Sequence, residues 1–461
     1  MKMTAKRQNA PVPQYGWLEK FFALTASKTT VKTELLAGLT TFMTMAYILF
    51  VNPDILGTTG MNKEAVLMAT AIASASATLV MGLYANLPFA LAPGMGMNAF
   101  FAFTAVAQMG MSWQVALAAV FTSGVICLVL TILPIREQII REIPMNIKLG
   151  VSIGIGLFIA FIGLQNAGIV VKNPNTAVAM GSLTSPGVLL SIGGLILMCI
   201  LLARKVKGAL VIGILLTTIV GFWIPGAKEG TTVTFWPGWS HLASLPSWET
   251  FSTGFLVLDF AGLMKVGLWT IVFTFVFVDL FDTVGTFSGL ATRLGWIDKT
   301  GSFPRAGKGL ISDSTGSIIG SLVGTSSTTT YVESAAGIAE GGRTGLTAVT
   351  VAVLFLLSLF LAPLATIIPG QATAPALILV GFLMLEPIRQ IQLDDLTEAI
   401  PAFLAIIMMP LTYSIANGLV WSICTYTLLK TLTGRVKDVT ILTWVLTVLF
   451  VISIVFKAVG A

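Results

Sequence analysis

Charged residues are scarce in this sequence. Asp, Glu, Lys and Arg make up 10% of its 461 residues, whereas a soluble globular chain carries roughly 25%. The hydrophobic share is 56%, and the mean hydropathy is +0.92. This composition excludes a water-soluble domain, because too few polar side chains are available to cover a surface that faces water.

Cysteine and histidine are also rare. The three cysteines, Cys127, Cys199 and Cys424, lie far apart in apolar segments, so we expect neither a disulfide framework nor a metal cluster. The single histidine, His241, lies in a connector rich in Trp and Pro, where we expect an exposed loop. A histidine-based metal site is therefore excluded, and the sequence predicts no cofactor.

Basic residues outnumber acidic ones by 26 to 20, but they occupy short connectors rather than one face or one tail. This distribution indicates membrane topology and no nucleic-acid partner. The basic segment 1–33 shows no cleavable signal peptide, and we expect it to be cytoplasmic. Basic connectors with Arg136 and Arg141, with Arg204, and with Arg293 then fall on the same side of the membrane. A bacterial inner membrane is the expected location.

Long apolar segments recur along the chain. A bilayer core about 30 Å thick requires about 20 apolar residues per helix. The first seven predicted spans lie near 35–53, 66–84, 87–107, 115–133, 147–169, 186–203 and 209–224. The next seven lie near 263–288, 311–324, 326–340, 346–367, 371–387, 399–415 and 417–432. A last apolar stretch, from Ile441 to Phe456, is either a fifteenth span or a surface segment.

The fold class predicted from these segments is an all-α polytopic membrane protein with two repeats of seven spans. Arg141–Pro144 precedes the fifth span, and the similar Thr366–Pro369 precedes the twelfth. Tandem repeats with an odd number of spans must have opposite orientations in the membrane. The sequence therefore predicts an inverted repeat, an arrangement found in many transporters.

The third and tenth spans are interrupted at matching places in the two repeats. Two prolines and two glycines within Leu87–Asn98 break helical hydrogen bonding. Six consecutive Ser and Thr residues, 325–330, favour a short extended segment before a short helix. Irregular backbone is tolerated at membrane depth only where protein or a water-lined cavity satisfies it. We therefore expect a binding site between the two interruptions.

Carboxylates inside the eighth and tenth spans are the leading candidates for chemistry. A carboxylate inside a span costs roughly 2.5–3.5 kcal/mol, so one that is retained usually faces a cavity. Asp279 and Asp282 in the eighth span share a helical face, so either both line one cavity or one caps a helix. Asp282 is the stronger candidate of the pair. Glu333, at the start of the short helix in the tenth span, either caps that helix or binds a ligand, and the two roles can coexist.

Three further residues are candidates for substrate binding. Asn98 stands at the equivalent interruption of the third span, where its amide either contacts a ligand or satisfies loose backbone. Tyr331 offers a flat face for a ring, although plain packing is the alternative. Gly96 permits close backbone approach to a ligand or to another helix.

At these residues the chain resembles the AzgA-like purine permeases of the nucleobase:cation symporter group, the nucleobase/ascorbate transporter family. The resemblance covers nearly the whole chain. The motifs that carry it are Thr40–Ile48, Ala90–Phe101, Phe277–Thr286, Thr325–Gly337 and Gly341–Ala348.

The resemblance implies fourteen spans divided between a core domain and a gate domain. The implied organisation is 34–133 and 263–367 for the core, 134–224 and 368–432 for the gate, 225–262 for an extracytoplasmic connector, and 433–461 for a C-terminal segment whose placement stays open. It also implies a transporter rather than an enzyme, with substrate-binding roles for Asp282, Glu333 and Asn98. The expected mechanism is proton symport by elevator-like alternating access.

The expected substrate is a purine base. Relatives that carry uracil or xanthine have Glu-x-x-Gly where this chain has Asp282-Thr-Val-Gly285, which favours adenine, with hypoxanthine or guanine as alternatives. A planar base edged with N–H donors suits two carboxylates, an amide and an aromatic face. The coupling proton is expected on Glu333 or Asp282.

The expected partners are therefore the base, the proton and the lipid bilayer, and a homodimer is left open. A channel or an anion exchanger with the same architecture is the alternative function. Either would favour a cationic site over paired acids.

Overall fold

The computed structural model describes residues 16–133, 142–226, 231–235, 246–266, 268–296 and 303–459. Arg136 and Arg141, which contribute to the predicted orientation, lie outside the described residues, as does His241.

Where the structure describes it, the first half of the chain is a succession of helices with three short strands. The elements are α1 (Gly16–Phe22), α2 (Val31–Met45), α3 (Ile48–Gly57), α4 (Lys63–Val80), β1 (Leu91–Pro93), α5 (Met95–Ala99), α6 (Trp113–Ile132), α7 (Met145–Asn166), β2 (Val170–Asn173), β3 (Ala177–Met180), α8 (Pro186–Ala203) and α9 (Ala209–Val220). Two π-helical stretches, Met81–Ala85 and Phe100–Gln108, prolong α4 and α5.

The described part of the second half repeats the pattern of long helices, with one short strand. Its elements are α10 (Trp248–Ser252), α11 (Phe260–Val266), α12 (Leu268–Leu294), α13 (Ala306–Val323), β4 (Thr328–Thr330), α14 (Ser334–Ala339), α15 (Gly345–Leu357), α16 (Leu364–Ile367), α17 (Gly370–Leu383), α18 (Leu396–Thr412), α19 (Ile415–Leu432) and α20 (Ile441–Val459). Short 3-10 turns lie at Ser358–Leu361, Glu386–Gln390 and Val436–Asp438.

The helices confirm the predicted all-α membrane fold. Each predicted span coincides with one helix or with two or three consecutive elements. Within the described residues, seven helices are long and apolar enough to cross a membrane. The first span differs in one respect, because it is divided at Ala46 and Tyr47 into α2 and α3. The stretch after Ile441 is a helix, α20, which contacts the fourteenth span through Thr447 and Thr427.

The two interrupted spans contain the short extended segments that the sequence predicts. β1 of the third span and β4 of the tenth span pair antiparallel, with Ala92 opposite Thr329. The pairing continues where the N–H of Gly94 donates to the carbonyl of Ser327 at 2.9 Å. A helix follows each strand, α5 after β1 and α14 after β4. The two interruptions therefore satisfy one another's backbone groups, as irregular backbone at membrane depth requires.

Close helix packing fixes the fifth span against the thirteenth. A Cβ atom on Gly150 or Gly154 would lie under 3.0 Å from the carbonyl of Ala402 or Ala405, respectively. Glycine at these positions lets the two helices approach backbone to backbone. The fifth span also lies beside the interrupted third span, because a Cβ atom on Gly96 would lie 2.8 Å from Ile155 Cγ2.

Candidate functional site

A cavity of about 980 Å³ lies beside the paired interruptions. Its deep part is lined by residues of the first, third, eighth and tenth spans, namely Tyr47, Gly94, Gly96, Asp282, Thr329 and Glu333. The rest of the cavity, here called its mouth, is lined by residues such as Lys148 in the first turn of α7 and the exposed Arg293 and Glu386. The location between the two interruptions is the one expected from the sequence.

Asp282 faces this cavity from α12. The hydroxyl of Thr329 on β4 donates a hydrogen bond of 3.1 Å to Asp282 Oδ2. Asp279, one turn earlier, is buried and does not line the cavity, and Ser327 Oγ donates to its Oδ1 at 3.2 Å. The shared helical face therefore brings both acids to the interrupted tenth span, but only Asp282 reaches the cavity.

Glu333 lies at the N-cap position of α14 and also faces the cavity. Its carboxylate accepts a hydrogen bond of 2.6 Å from the hydroxyl of Tyr47. Tyr47 occupies the division of the first span, where the helix axis is interrupted between Met45 and Ile48. Sequence reasoning did not single out Tyr47, because an aromatic residue in an apolar span resembles ordinary packing.

The deep part of the cavity is rich in hydrogen-bond acceptors and carries two acidic groups. Within the described residues, no ion pair involves Asp282 or Glu333. The basic groups Lys148 and Arg293 line the mouth instead, and Arg293 Nη2 lies 3.4 Å from Glu386 Oε1. A ligand that donates hydrogen bonds, or a proton, is therefore the natural complement of the deep part.

The three remaining candidate residues have different surroundings. Asn98 is fully buried and is not part of the cavity lining. Its Oδ1 accepts from Ser326 Oγ, and its Nδ2 lies 3.4 Å from the carbonyl of Pro93. Tyr331 lines the cavity, and its hydroxyl donates to that same carbonyl at 2.6 Å. Gly96 lines the cavity where the third span approaches Ile155 of the fifth.

The start of α5 also lies beside the cavity. α5 begins at Met95, and its N-cap residue, Gly94, provides no side-chain cap. The first N–H groups of a helix have no acceptor within the helix, and Met95 and Gly96 both line the cavity. A Cβ atom on Gly94 would lie 2.7 Å from Thr329 Oγ1 and 3.4 Å from Asp282 Oδ2. Glycine is therefore needed where α5 begins beside Asp282.

Other buried carboxylates are engaged in structural hydrogen bonds. Asp313 of α13 accepts from Thr283 Oγ1 at 2.7 Å and from the N–H of Thr330 at 3.0 Å, and so connects α12 to β4. Glu34 of α2 accepts from the N–H groups of Thr344 and Thr347 at the start of α15. Sequence reasoning missed Asp313, although a carboxylate inside a predicted span was the available signal.

Comparison with known proteins places the chain in a family. A family profile described as "Permease family", Xan_ur_permease, matches residues 32–421. A permease of Methanocaldococcus jannaschii is 51% identical over 95% of this chain and 98% of its own length. The adenine permease AdeP of Escherichia coli is 44% identical over 96% of each chain. The guanine/hypoxanthine permease PbuO of Bacillus subtilis is 43% identical over 94% of this chain and 99% of its own.

A solved structure shows the same fold at low sequence identity. The transmembrane domain of the cyanobacterial bicarbonate transporter BicA superposes with a TM-score of 0.60, covering 85% of this chain and 97% of that domain at 16% identity. Fold, family profile and relatives agree on a multi-pass membrane transporter rather than an enzyme. The chain therefore belongs to this permease family, as an AzgA-like member of the nucleobase:cation symporter group.

Proposed function

We propose that this permease imports purine nucleobases together with protons, with adenine as the leading substrate and hypoxanthine and guanine as alternatives. One observation carries the proposal: Asp282 and Glu333 face one cavity between the two interrupted spans, with no ion-pair partner among the described residues. The adenine and guanine/hypoxanthine permeases among the relatives support a purine as the substrate.

The chemistry of a purine fits the groups that line the deep part of the cavity. Its ring N–H and exocyclic amino groups donate hydrogen bonds, which Asp282 and Glu333 can accept. Its ring nitrogens accept hydrogen bonds, and the first N–H groups of α5, which have no acceptor within the helix, are the proposed donors. Its flat faces suit the ring of Tyr331. In this proposal, Asn98 supports the base indirectly by holding Ser326 and the backbone near Pro93.

The negative charges of Asp282 and Glu333 give a reason for the base to be carried together with a proton. Two carboxylates in one partly dry cavity repel one another, so binding of a proton to one of them lowers the electrostatic free energy of the pair. A neutral base would then bind beside the protonated acid. We assign the proton to Glu333 or Asp282, the two acids that reach the cavity.

Movement of one part of the protein against the other would release the base. The proposed core comprises residues 34–133 and 263–367, which contribute the two interrupted spans, Glu333 of the tenth span and Asp282 of the eighth. The proposed gate comprises residues 134–224 and 368–432, which contribute Lys148 and Glu386 at the mouth. Under the predicted topology, this mouth faces the cytoplasm, as expected for the inward-facing state of an elevator-like importer.

An anion exchanger is the alternative function, since BicA shares the fold. An anion would be repelled by Asp282 and Glu333, which lie in the deep part of the cavity. Uptake of labelled adenine, hypoxanthine, guanine, xanthine, uracil and bicarbonate in transport-deficient cells tests the proposal. Saturable purine uptake that a protonophore abolishes is the expected result. Bicarbonate uptake without purine uptake would overturn it.

A further inference from the structure

Asp54, at the end of the first span, joins three helices. Its Oδ1 forms an ion pair of 2.6 Å with Lys63, the first residue of α4. Its Oδ2 accepts a hydrogen bond of 2.7 Å from the hydroxyl of Thr373 in α17. The Asp54 side chain is 15% exposed and Thr373 is 1% exposed. Both hydrogen-bonding groups therefore lie mostly out of water.

The N-termini of α17 and α4 both favour a carboxylate at the position of Asp54. α17 begins at Gly370, and its N-cap Pro369 provides no side-chain cap, so the positive end of the helix dipole is open to a neighbouring anion. A Cβ atom on Gly370 would lie 3.5 Å from Asp54 Oδ2. Lys63 also stands at a helix N-terminus, where a cation is unfavourable without an anion beside it.

The contact of Asp54 with Lys63 lies within the proposed core, and its contact with Thr373 joins the core to the proposed gate. Lys63 and Asp54 both belong to the proposed core, whereas Thr373 belongs to the proposed gate. Thr373 also lies at the end of α17 away from the cavity mouth, because Met384 and Glu386, beyond the other end of α17, line that mouth. Eleven residues of helix, roughly 16 Å, separate Thr373 from Met384.

We propose that the contact between Asp54 and Thr373 is a latch that closes the extracytoplasmic side of the transporter while the cavity is open to the cytoplasm. This inference rests on the proposed function. Opening the extracytoplasmic side requires the core to move against the gate, so the hydrogen bond from Thr373 must break in each transport cycle. Lys63 moves with Asp54 and stays paired with it, so the carboxylate is never left buried without a partner.

A second contact strengthens the closure at the same end. The third span runs in the same direction as the first, and Gln108 at its end donates to the carbonyls of Thr412 and Tyr413 at 3.3 and 3.2 Å. Both acceptors lie at the junction of α18 and α19, in the proposed gate. On the cytoplasmic side, by contrast, the pairs Arg293–Glu386 and Lys207–Glu340 join the two parts, and the side chains of both pairs are exposed. Exposed ion pairs contribute little.

Cross-linking in a variant without Cys127, Cys199 and Cys424 tests the latch. Asp54→Cys combined with Thr373→Cys joins core to gate, and Asp54→Cys combined with Lys63→Cys is the matched control within the core. Both proteins are treated with a short thiol-reactive cross-linker, and adenine uptake is measured before and after treatment. The latch predicts that the 54–373 cross-link abolishes uptake and that a cleavable linker restores it, whereas the 54–63 cross-link leaves uptake unchanged.

The outcomes separate the latch from the function on which it rests. Failure of 54 and 373 to cross-link, or full uptake by the cross-linked protein, would overturn the latch while purine transport stands. Absence of purine uptake in the unmodified protein would instead overturn the proposed function.

A second pair of variants covers the case in which the double-cysteine protein is inactive before treatment. Phe103→Cys serves as a reporter, because Phe103 packs on Tyr413 across the same closure, with ring centroids 5.6 Å apart. Thr373→Val should raise labelling of this reporter by an impermeant maleimide several-fold, and Thr373→Ser should not. Equal labelling of the two variants would overturn the latch.

Discussion

The hydroxyl of Tyr47 donates a hydrogen bond of 2.6 Å to the carboxylate of Glu333. The two residues are 286 positions apart in the chain and belong to the first and tenth spans. The contact forms because the first span is divided at Tyr47 and the tenth span begins a new helix after Glu333. The divided first span and the interrupted tenth span therefore meet at one carboxylate in the wall of the cavity.

Replacing Tyr47 tests the importance of this contact. A hydrogen bond to a charged group contributes about 1.5–3 kcal/mol, so Tyr47→Phe should lower the efficiency of adenine uptake by about tenfold or more. The ring is retained, so the amount of protein in the membrane should not change. Initial rates of uptake, normalised to a C-terminal tag, provide the measurement. Wild-type kinetics in Tyr47→Phe would show that the hydroxyl does not position Glu333.

Thr329 positions the other carboxylate in the same way. Its hydroxyl donates to Asp282 Oδ2 at 3.1 Å from the paired strand β4. Thr329→Val removes the donor and keeps the shape, so we expect the half-saturation concentration for adenine to rise about fivefold or more. Thr329→Ser retains the hydroxyl and is the matched control, for which near-normal uptake is expected. An equal defect in both variants would indicate packing rather than the hydrogen bond.

Gly96 tests the close approach between the third and fifth spans. A Cβ atom there would lie 2.8 Å from Ile155 Cγ2, and this methyl group can retreat only if Ile155 changes its χ1 rotamer. Overpacking of this kind typically costs about 1–3 kcal/mol. Gly96→Ala should therefore slow adenine uptake, and Ile155→Ala in the same protein should restore part of it. If Ile155→Ala leaves the defect of Gly96→Ala unchanged, Gly96 contacts the ligand and its approach to Ile155 is not the cause of the defect.

Asp395 offers a test of pH dependence outside the membrane spans. It is the N-cap residue of α18, and hydrogen bonds from Thr397, together with nearby Lys430 and Arg435, lower the pKa of its carboxyl from 3.8 to about 2. A carboxyl whose pKa is lowered by folding stabilises the folded state above its ordinary pKa. That contribution is lost as the pH falls from about 4 to about 2.

The measurement compares thermal unfolding of the detergent-solubilised wild type and Asp395→Asn between pH 5 and pH 2. Asn can still cap the helix but does not titrate, so the stability difference in favour of the wild type should shrink as the pH falls through this window. A difference that is constant over this range would contradict the assignment.

The sequence predicts the spans well because each one requires a long apolar segment. It also predicts the two interruptions, because the prolines and glycines near Pro93 and the Ser/Thr run before Tyr331 are both incompatible with a continuous apolar helix. Asp282 and Glu333 are conspicuous for a similar reason, since charge is rare at membrane depth. These features depend on local composition, which the sequence displays directly.

Other features depend on contacts between distant segments, and local composition does not reveal them. The division at Tyr47 has no proline or glycine beside it, and the pairing of Tyr47 with Glu333 exists only once the two repeats are packed together. The separation of Asp279 from Asp282 has the same origin, because helical spacing places both on one face while the position of β4 decides which one reaches the cavity. The buried position of Asn98 likewise depends on Ser326 of the other repeat.

Asp282 and Glu333 are the residues that we propose bind the base and the proton. Adenine uptake into proteoliposomes with an imposed proton gradient, compared among the wild type, Asp282→Asn and Glu333→Gln, tests this claim most directly. The wild type should accumulate adenine above equilibrium and lose that accumulation with a protonophore, and neither variant should accumulate it despite normal reconstitution. Full gradient-driven accumulation by either variant would contradict the claim.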